Sequence, residues 1–168
     1  MLFRSQGIYV REVNGVRIDR IDANAAFVQR VNFNSTTSDV NNAALEDLRT
    51  TTNGPIKLQS VNGDLTVNPG TAGTFGVSAN GTGNVLLQTL NGGDIAINAN
   101  VTGVRGSSIV LGSTTGNVTT TGAEVYGGLL DIRANTTSVL NTSIESLAAN
   151  ITGAGNLTVV NSYDTEPA

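Results

Sequence analysis

One five-residue phrase recurs along this chain: Gly, then Asn or Asp, then two apolar residues separated by one position. It reads Gly63-Asp64-Leu65-Thr66-Val67, Gly83-Asn84-Val85-Leu86-Leu87, Gly93-Asp94-Ile95-Ala96-Ile97 and Gly155-Asn156-Leu157-Thr158-Val159, with a degraded copy at Gly116-Asn117-Val118-Thr119-Thr120. Each copy alternates apolar and polar residues, the two-residue period of a strand with one buried face. The glycines at 63, 83, 93, 116 and 155 step by 20, 10, 23 and 39 residues, close to one, a half, one and two units of about 20. Short strands, sharp corners and a fixed period describe an all-β solenoid whose coils stack in parallel about 4.8 Å apart. One coil cannot bury its own apolar face, so each depends on its neighbours. An antiparallel sandwich also has many short strands, but it does not require one phrase at multiples of one period.

The reading is therefore a right-handed parallel β-helix, about 20 residues per coil and roughly seven to eight coils in 168 residues. Leu65, Val67, Val85, Leu87, Ile95, Ile97, Ile132, Leu157 and Val159 are expected to point inward, with Thr66 and Ala96 outward. Gly63, Gly83, Gly93, Gly116 and Gly155 are expected at turns, where Gly and Asn tolerate a left-handed backbone. Asn side chains are expected to stack amide on amide from coil to coil. Thr, Gly and Asn together supply 62 of the 168 residues, which suits such a ladder.

Leu45-Glu46-Asp47-Leu48 before Gly54 and Ile144-Glu145-Ser146-Leu147 before Gly155 look like a further pair about five units apart, and both are read as strands. Gln6-Gly7-Ile8-Tyr9-Val10 lines up with Gly155–Val159, suggesting a larger repeat of about 149. The first 50 residues hold six Arg and six acids and carry the phrase only weakly, so the early coils are expected to be less regular. Met1–Ser5 has two readings, an ordinary start or a non-native leader encoded by a library adapter, and residues 6–168 read as a single solenoid segment, a fragment of a longer repeat protein. Ile8-Tyr9-Val10 and Leu157-Thr158-Val159-Val160 leave strand-like ends with only Tyr163 and Pro167 as blockers, so end-to-end association or fraying is expected.

Composition removes whole classes of chemistry. There is no Cys, hence no disulfide, thiolate nucleophile or cysteine zinc site. There is no His, the commonest general base and zinc ligand. Nine basic residues in a chain of net charge −4 argue against nucleic acid. No apolar run approaches the roughly 18 residues of a membrane helix, so no membrane insertion is expected.

Gly-Asn-Leu-Thr-Val, Gly-Asp-Ile-Ala-Ile-Asn-Ala-Asn and Ser-Val-Asn-Gly-Asp-Leu-Thr-Val-Asn resemble the strand repeats of filamentous-haemagglutinin-like, adhesin-type bacterial surface proteins. The resemblance covers residues 45–161 well and 6–44 loosely. It implies a right-handed parallel β-helix in a secreted or cell-surface protein on the outer face of a bacterium, often adhesive. It carries no catalytic residues.

The remaining constellations have plain structural readings. Asn91-Gly92-Gly93-Asp94 resembles one copy of a calcium-binding repeat, but such sites need consecutive copies, so it reads as a turn. Asp19 and Asp22 sit three apart, as paired acids do in carbohydrate-cleaving β-helices, yet each has an Arg neighbour, and Ile18 and Ile21 read as core. Asp131 and Arg133 are expected to face outward around a buried Ile132. Thr50–Thr52 and Thr119–Thr121 are too far apart for an ice-binding array. Eight Asn-x-Ser/Thr sequons follow from the repeat phrase itself.

The functional expectation is a non-catalytic structural or adhesive segment with no cofactor and no metal. Its partners would be neighbouring repeats of the same longer chain and surface glycans or host cell-surface proteins, with no nucleic acid. The alternatives are a carbohydrate-active β-helix, a lyase or glycosidase, marked by Asp, Arg, Lys or Tyr clustered on adjacent coils, and a calcium-stabilised repeat domain.

Overall fold

The computed structural model describes residues 7–23, 25, 27–41, 43–71 and 74–163; Met1–Ser5 and Pro167 lie outside them. In chain order the strands are β1 Ile8–Glu12, β2 Val16–Ile18, β3 Phe27–Val31, β4 Thr37–Asn41, β5 Leu48–Arg49, β6 Ile56–Ser60, β7 Leu65–Val67 and β8 Phe75–Ser78. They continue as β9 Val85–Thr89, β10 Ile95–Ile97, β11 Asn100–Thr102, β12 Ser108–Ser113, β13 Val118–Thr120, β14 Val125–Ala134, β15 Ser138–Ile151 and β16 Leu157–Asn161. The described residues contain no helix.

Fourteen of these strands form one sheet that wraps nearly closed around a single core. The first face is the parallel ladder β1-β6-β9-β12-β14-β15. The second stacks β2, β7, β10, β13, the start of β15 and β16. The third stacks β5, β8, β11 and the outset of β14 on the middle of β15. Strands β14 and β15 turn the corners without a break, which joins the three ladders into one sheet. This parallel stack is consistent with a β-solenoid and excludes the antiparallel sandwich.

The coil length is not constant at about 20. On the first face Ile8 pairs with Ile56, 48 residues on; Ile56 with Val85, 29 on; Val85 with Ile109, 24; Ile109 with Leu130, 21; and Leu130 with Leu147, 17. That ladder carries six strands among the described residues, against the seven to eight coils expected. The register constrains only the strands, because a one-residue slip would turn every core residue outward. The connections carry no such constraint, since lengthening a loop costs little entropy. The coils shorten steadily along the chain, and the spacing of about 20 arises because the phrase copies lie on different faces: Gly83 precedes β9 on the first, whereas Gly63, Gly93, Gly116 and Gly155 precede β7, β10, β13 and β16 on the second.

The two longer repeats fail for the same reason. Ile8 lies in the first ladder and Leu157 in the second, so the offset of 149 aligns different faces. Leu48 pairs with Val77 in the third ladder, whereas Leu147 pairs with Leu130 in the first. The expectation of strands at both segments holds for Leu48 and for Ile144 and Leu147; Leu45 makes a single antiparallel bridge to Ile21.

The first coil is long because an arm leaves the stack there: β3 and β4 form an antiparallel hairpin paired from Phe27–Asn41 to Val31–Thr37. Val28, Val31, Phe33 and Val40 are exposed on it. Because this arm packs no face onto the core, it has no reason to repeat the phrase. At its base Ile21 is 52% exposed rather than core, while Ile18 is buried in β2.

The core is made of columns, one residue from each coil. Leu65, Val67, Val85, Leu87, Ile95, Ile97 and Ile132 are 0–1% exposed, as expected. Leu157 and Val159 are only half-buried against this core, because among the described residues their strand β16 pairs on one side only, with β15. Thr66 and Ala96 are half-buried on the outer side of their strands.

Asp47 departs from the regular scheme. Its φ is +66°, and its buried Oδ1 has no hydrogen-bond partner among the described residues. Burial, reinforced by neighbouring Glu46, raises its carboxyl above the ordinary value of 3.8. A raised acid works against the fold once ionised: its stabilising contribution is full below the unfolded value and is lost as pH rises through the folded one. Asp47→Asn, which also tolerates a positive φ, is expected to raise the melting temperature at pH 7 by about 1–3 °C. The gain should vanish at pH 3, where both side chains are neutral. Melts of the two proteins at both pH values check this, and a gain that persists at pH 3 would assign the effect to something other than ionisation.

Candidate functional site

The repeat phrase is a device for crossing from one coil to the next. Its Asn or Asp accepts a main-chain hydrogen bond from the following coil. The Asp94 N–H donates to Asp64 Oδ1 at 2.9 Å and the Asn117 N–H to Asp94 Oδ1 at 2.9 Å. On the first face the Ser108 N–H donates to Asn84 Oδ1 at 2.9 Å, and on the third the Glu124 N–H donates to Asn100 Oδ1 at 2.8 Å. Amide-on-amide stacking also occurs, Asn98 to Asn68 at 3.0 Å and Asn91 to Asn62 at 3.3 Å.

The turn glycines stand where coils touch. Gly63 and Gly93 have φ of +95° and +102°, but Gly83, Gly116 and Gly155 do not lie in the left-handed region. At those three the requirement is space: a Cβ would overlap backbone of the preceding coil, at Gly54, Gly93 and Thr136 respectively. A column of buried hydroxyls, absent from the sequence reading, fastens the same corners. Ser60, Thr89 and Ser113 are stacked in register. The Ser60 hydroxyl donates to the Gly63 carbonyl at 2.8 Å, and those of Thr89 and Ser113 donate to the Gly93 carbonyl at 2.9 and 2.8 Å. A Ser or Thr three or four residues before Gly63, Gly93 and Gly116 is the signal that marks them.

The acidic constellations are ion pairs. Arg17 pairs with Asp19 at 3.0 Å, Arg20 with Asp22 at 2.5 Å and Arg133 with Asp131 at 2.7 Å. The Asn68 amide, then the Arg20 N–H, lower the Asp19 carboxyl below its ordinary value. Ile132 lies buried between Asp131 and Arg133 as expected. Asp94 spends an oxygen on Asn117, and no group of three or more His, Cys, Asp or Glu converges among the described residues. Thr119 of one triplet pairs with Ala96 and Val139, so no threonine array forms there.

A cluster that sequence reading missed lies on the third face. Glu124 and Tyr126 flank the inward Val125 at the start of β14, and Ser143 pairs with Tyr126 from the next coil. Glu145 follows two residues along β15. The turn after β11 brings Arg105, whose guanidinium carbon lies 5.3 Å from the centre of the Tyr163 ring. After β16 the chain crosses this face: the Ser162 hydroxyl donates to Glu124, and the Tyr163 hydroxyl donates to Glu145 at 3.1 Å. The neighbouring Glu124 carboxylate, then burial, raises the Tyr126 phenol above its ordinary value of 10.0.

Two adjoining clefts open here, of about 440 and 460 Å³, sharing Glu124, Tyr126 and Ser162 as common wall. Both fall in the size range of small-molecule sites. The first runs towards Asn100, Asn141 and Thr74, the second towards Arg105, Ser143 and Tyr163. The residues are 105, 124, 126, 145 and 163, so no local motif joins them; only the unequal coil lengths do. The available signal was scarcity. After residue 50 the chain has just three bases and seven acids, and three Tyr in all, and this patch gathers one base, two acids and two Tyr.

Compared with family models, with curated proteins and with solved structures, the chain shows no significant match.

Proposed function

We propose that the chain is a non-catalytic structural or adhesive segment, a right-handed β-solenoid of six coils from a secreted or cell-surface bacterial protein. The observation that carries this reading is the stack itself: three parallel ladders share one core and are cross-linked at their corners, a stiff element with long regular faces. Neighbouring repeats of a longer chain are the natural partners. Among the described residues strands β1, β2 and β16 each have one partner strand, and Leu147, Leu157 and Val159 carry the apolar columns out to the last coil. Such edges pair readily with further strands.

The isolated 168-residue chain is therefore expected to self-associate end to end, or to exchange amide hydrogens faster in its terminal coils than around Ile95. Sedimentation over a concentration series, with hydrogen exchange, reads both. A clean monomer whose terminal amides are as protected as Ile95 would remove the case for neighbouring repeats.

A carbohydrate-active β-helix is the second reading, favoured by two carboxylates on adjacent coils, Glu124, which lines both clefts, and Glu145, which accepts from the Tyr163 hydroxyl beside the second. Incubation with a panel of plant and bacterial polysaccharides, followed by assay of new reducing ends and of unsaturated products, separates the two. The structural reading expects no turnover, and turnover abolished by Glu124→Gln would establish the enzyme. Millimolar calcium is expected to shift the melting temperature by less than about 5 °C; a larger rise would favour the calcium-stabilised alternative.

A further inference from the structure

We propose that the clefts around Tyr126 form a binding site for a neutral saccharide. The inference deepens the adhesive reading and rests on it, since it treats the third face as a recognition surface rather than a reaction centre.

Charge narrows the ligand class first. Glu124 and Glu145 disfavour an anion, and Arg105, already seated against Tyr163, disfavours a cation. A neutral molecule escapes both penalties. Polarity narrows it further. The walls offer carboxylate oxygens at Glu124, amides at Asn100 and Asn141, and hydroxyls at Ser143 and Ser162. Such a mixture of donors and acceptors suits a ligand whose groups each do both, as sugar hydroxyls do. A mainly apolar ligand would strand these groups without partners.

The aromatic part supplies the third constraint. A pyranose ring has an apolar C–H face that packs on an aromatic ring, and a buried aromatic contact contributes large area at low entropic cost. Tyr126 stands half-buried as a wall common to both clefts, on a strand paired on both sides, with Thr102 and with Ser143. That backbone is fixed before any ligand arrives, and preorganisation of this kind lowers the cost of binding. Both clefts share that wall, so a ligand longer than one sugar unit could run from the Asn100 side to the Ser143 side across Tyr126. The floor is rigid because it is the strand ladder itself, Tyr126 on Ser143 and Thr102 on Tyr126.

The test is ligand-observed saturation-transfer NMR and amide chemical-shift mapping on the full chain. The probes are maltotetraose, cellotetraose and xylotetraose, with tetragalacturonate and chitosan tetramer as charged controls. At least one neutral probe should bind with Kd of about 0.1–10 mM, and amide shifts should concentrate at residues 103–105, 124–127, 141–145 and 162–163. Tyr126→Ala should weaken that binding at least tenfold, and Tyr126→Phe, which keeps the ring, should retain most of it. Should Tyr126→Ala disturb the fold, Glu145→Ala and Arg105→Ala, both at exposed positions, provide the comparison: each should change affinity while leaving the melt unchanged. The proposal is overturned by no binding of any neutral probe at about 10 mM, by binding of a charged control alone, or by shifts elsewhere on the protein. Polysaccharide turnover would overturn the non-catalytic reading instead, and the two failures stay distinct.

Discussion

Ile97→Asp is expected to cost about 3–5 kcal/mol and to lower the melting temperature by about 10 °C or more. Ile97 is fully buried, and its register partners on either side are Val67 and Thr120. A carboxylate there would lose its hydration without gaining a partner, because the residues above and below present apolar or weakly polar groups. The adjacent coils lose packing at the same time, and in a stacked array each interface supports the next. Thr66→Asp is the control. Thr66 lies on the outer side of its strand, with Arg17 and Ala96 as cross-strand neighbours. The new charge would stay solvated beside Arg17, and the change should fall within about 1 kcal/mol. Circular-dichroism melts and denaturant titrations of both variants measure the difference. Equal damage from the two would mean that the inward and outward faces of this strand are assigned wrongly.

The second large effect is expected at a corner. In Gly93→Ala the new Cβ would overlap the carbonyl carbon and oxygen of Gly63 and lie 2.7 Å from the Asp64 nitrogen. None of these atoms belongs to a flexible side chain, so relief requires the two coils to move apart, stretching the Asp94–Asp64 and Asn117–Asp94 hydrogen bonds that join them. The backbone is also left-handed there, with φ +102°. We expect a loss of about 3 kcal/mol or more. Gly122→Ala separates the two causes. Gly122 has φ +63°, but a Cβ on it would meet nothing within 4 Å, so it should cost only the conformational term, about 1 kcal/mol. Losses of the same size at both sites would show that coil contact at Gly93 adds nothing to its conformational requirement.

The Tyr126 cleft lay outside the reach of sequence reading for a geometric reason. Arg105, the Glu124–Tyr126 pair, Glu145 and Tyr163 come from successive coils, and their convergence depends on how many residues each connection consumes. Had every coil held 20 residues, Glu124 would face residue 144. The actual register puts Val125 opposite Thr142, 17 residues on, and so places Glu145 beyond Ser143 on the same outer side. Loop lengths of this kind leave little local trace, because turn residues such as Gly and Asn tolerate insertion almost anywhere.

What the sequence determined by itself was everything carried by short-range alternation. Leu65-Thr66-Val67 and Ile95-Ala96-Ile97 announce strands with one buried side, since only a two-residue period can bury both ends of each triplet and leave the middle outside. The Gly-Asn and Gly-Asp phrases likewise announce corners; that Gly83, Gly116 and Gly155 serve there by close passage of coils rather than by a left-handed backbone is seen only in the structure. Tertiary structure alone decided which strand stacks on which, how long each coil is, where the hairpin arm at 27–41 leaves the stack, and which outward side chains meet. Those outcomes follow from register and from loop closure, which join residues 17 to 48 positions apart. Alternation fixes a residue's side of the sheet, but its neighbour on the next coil is set by the chain length between them.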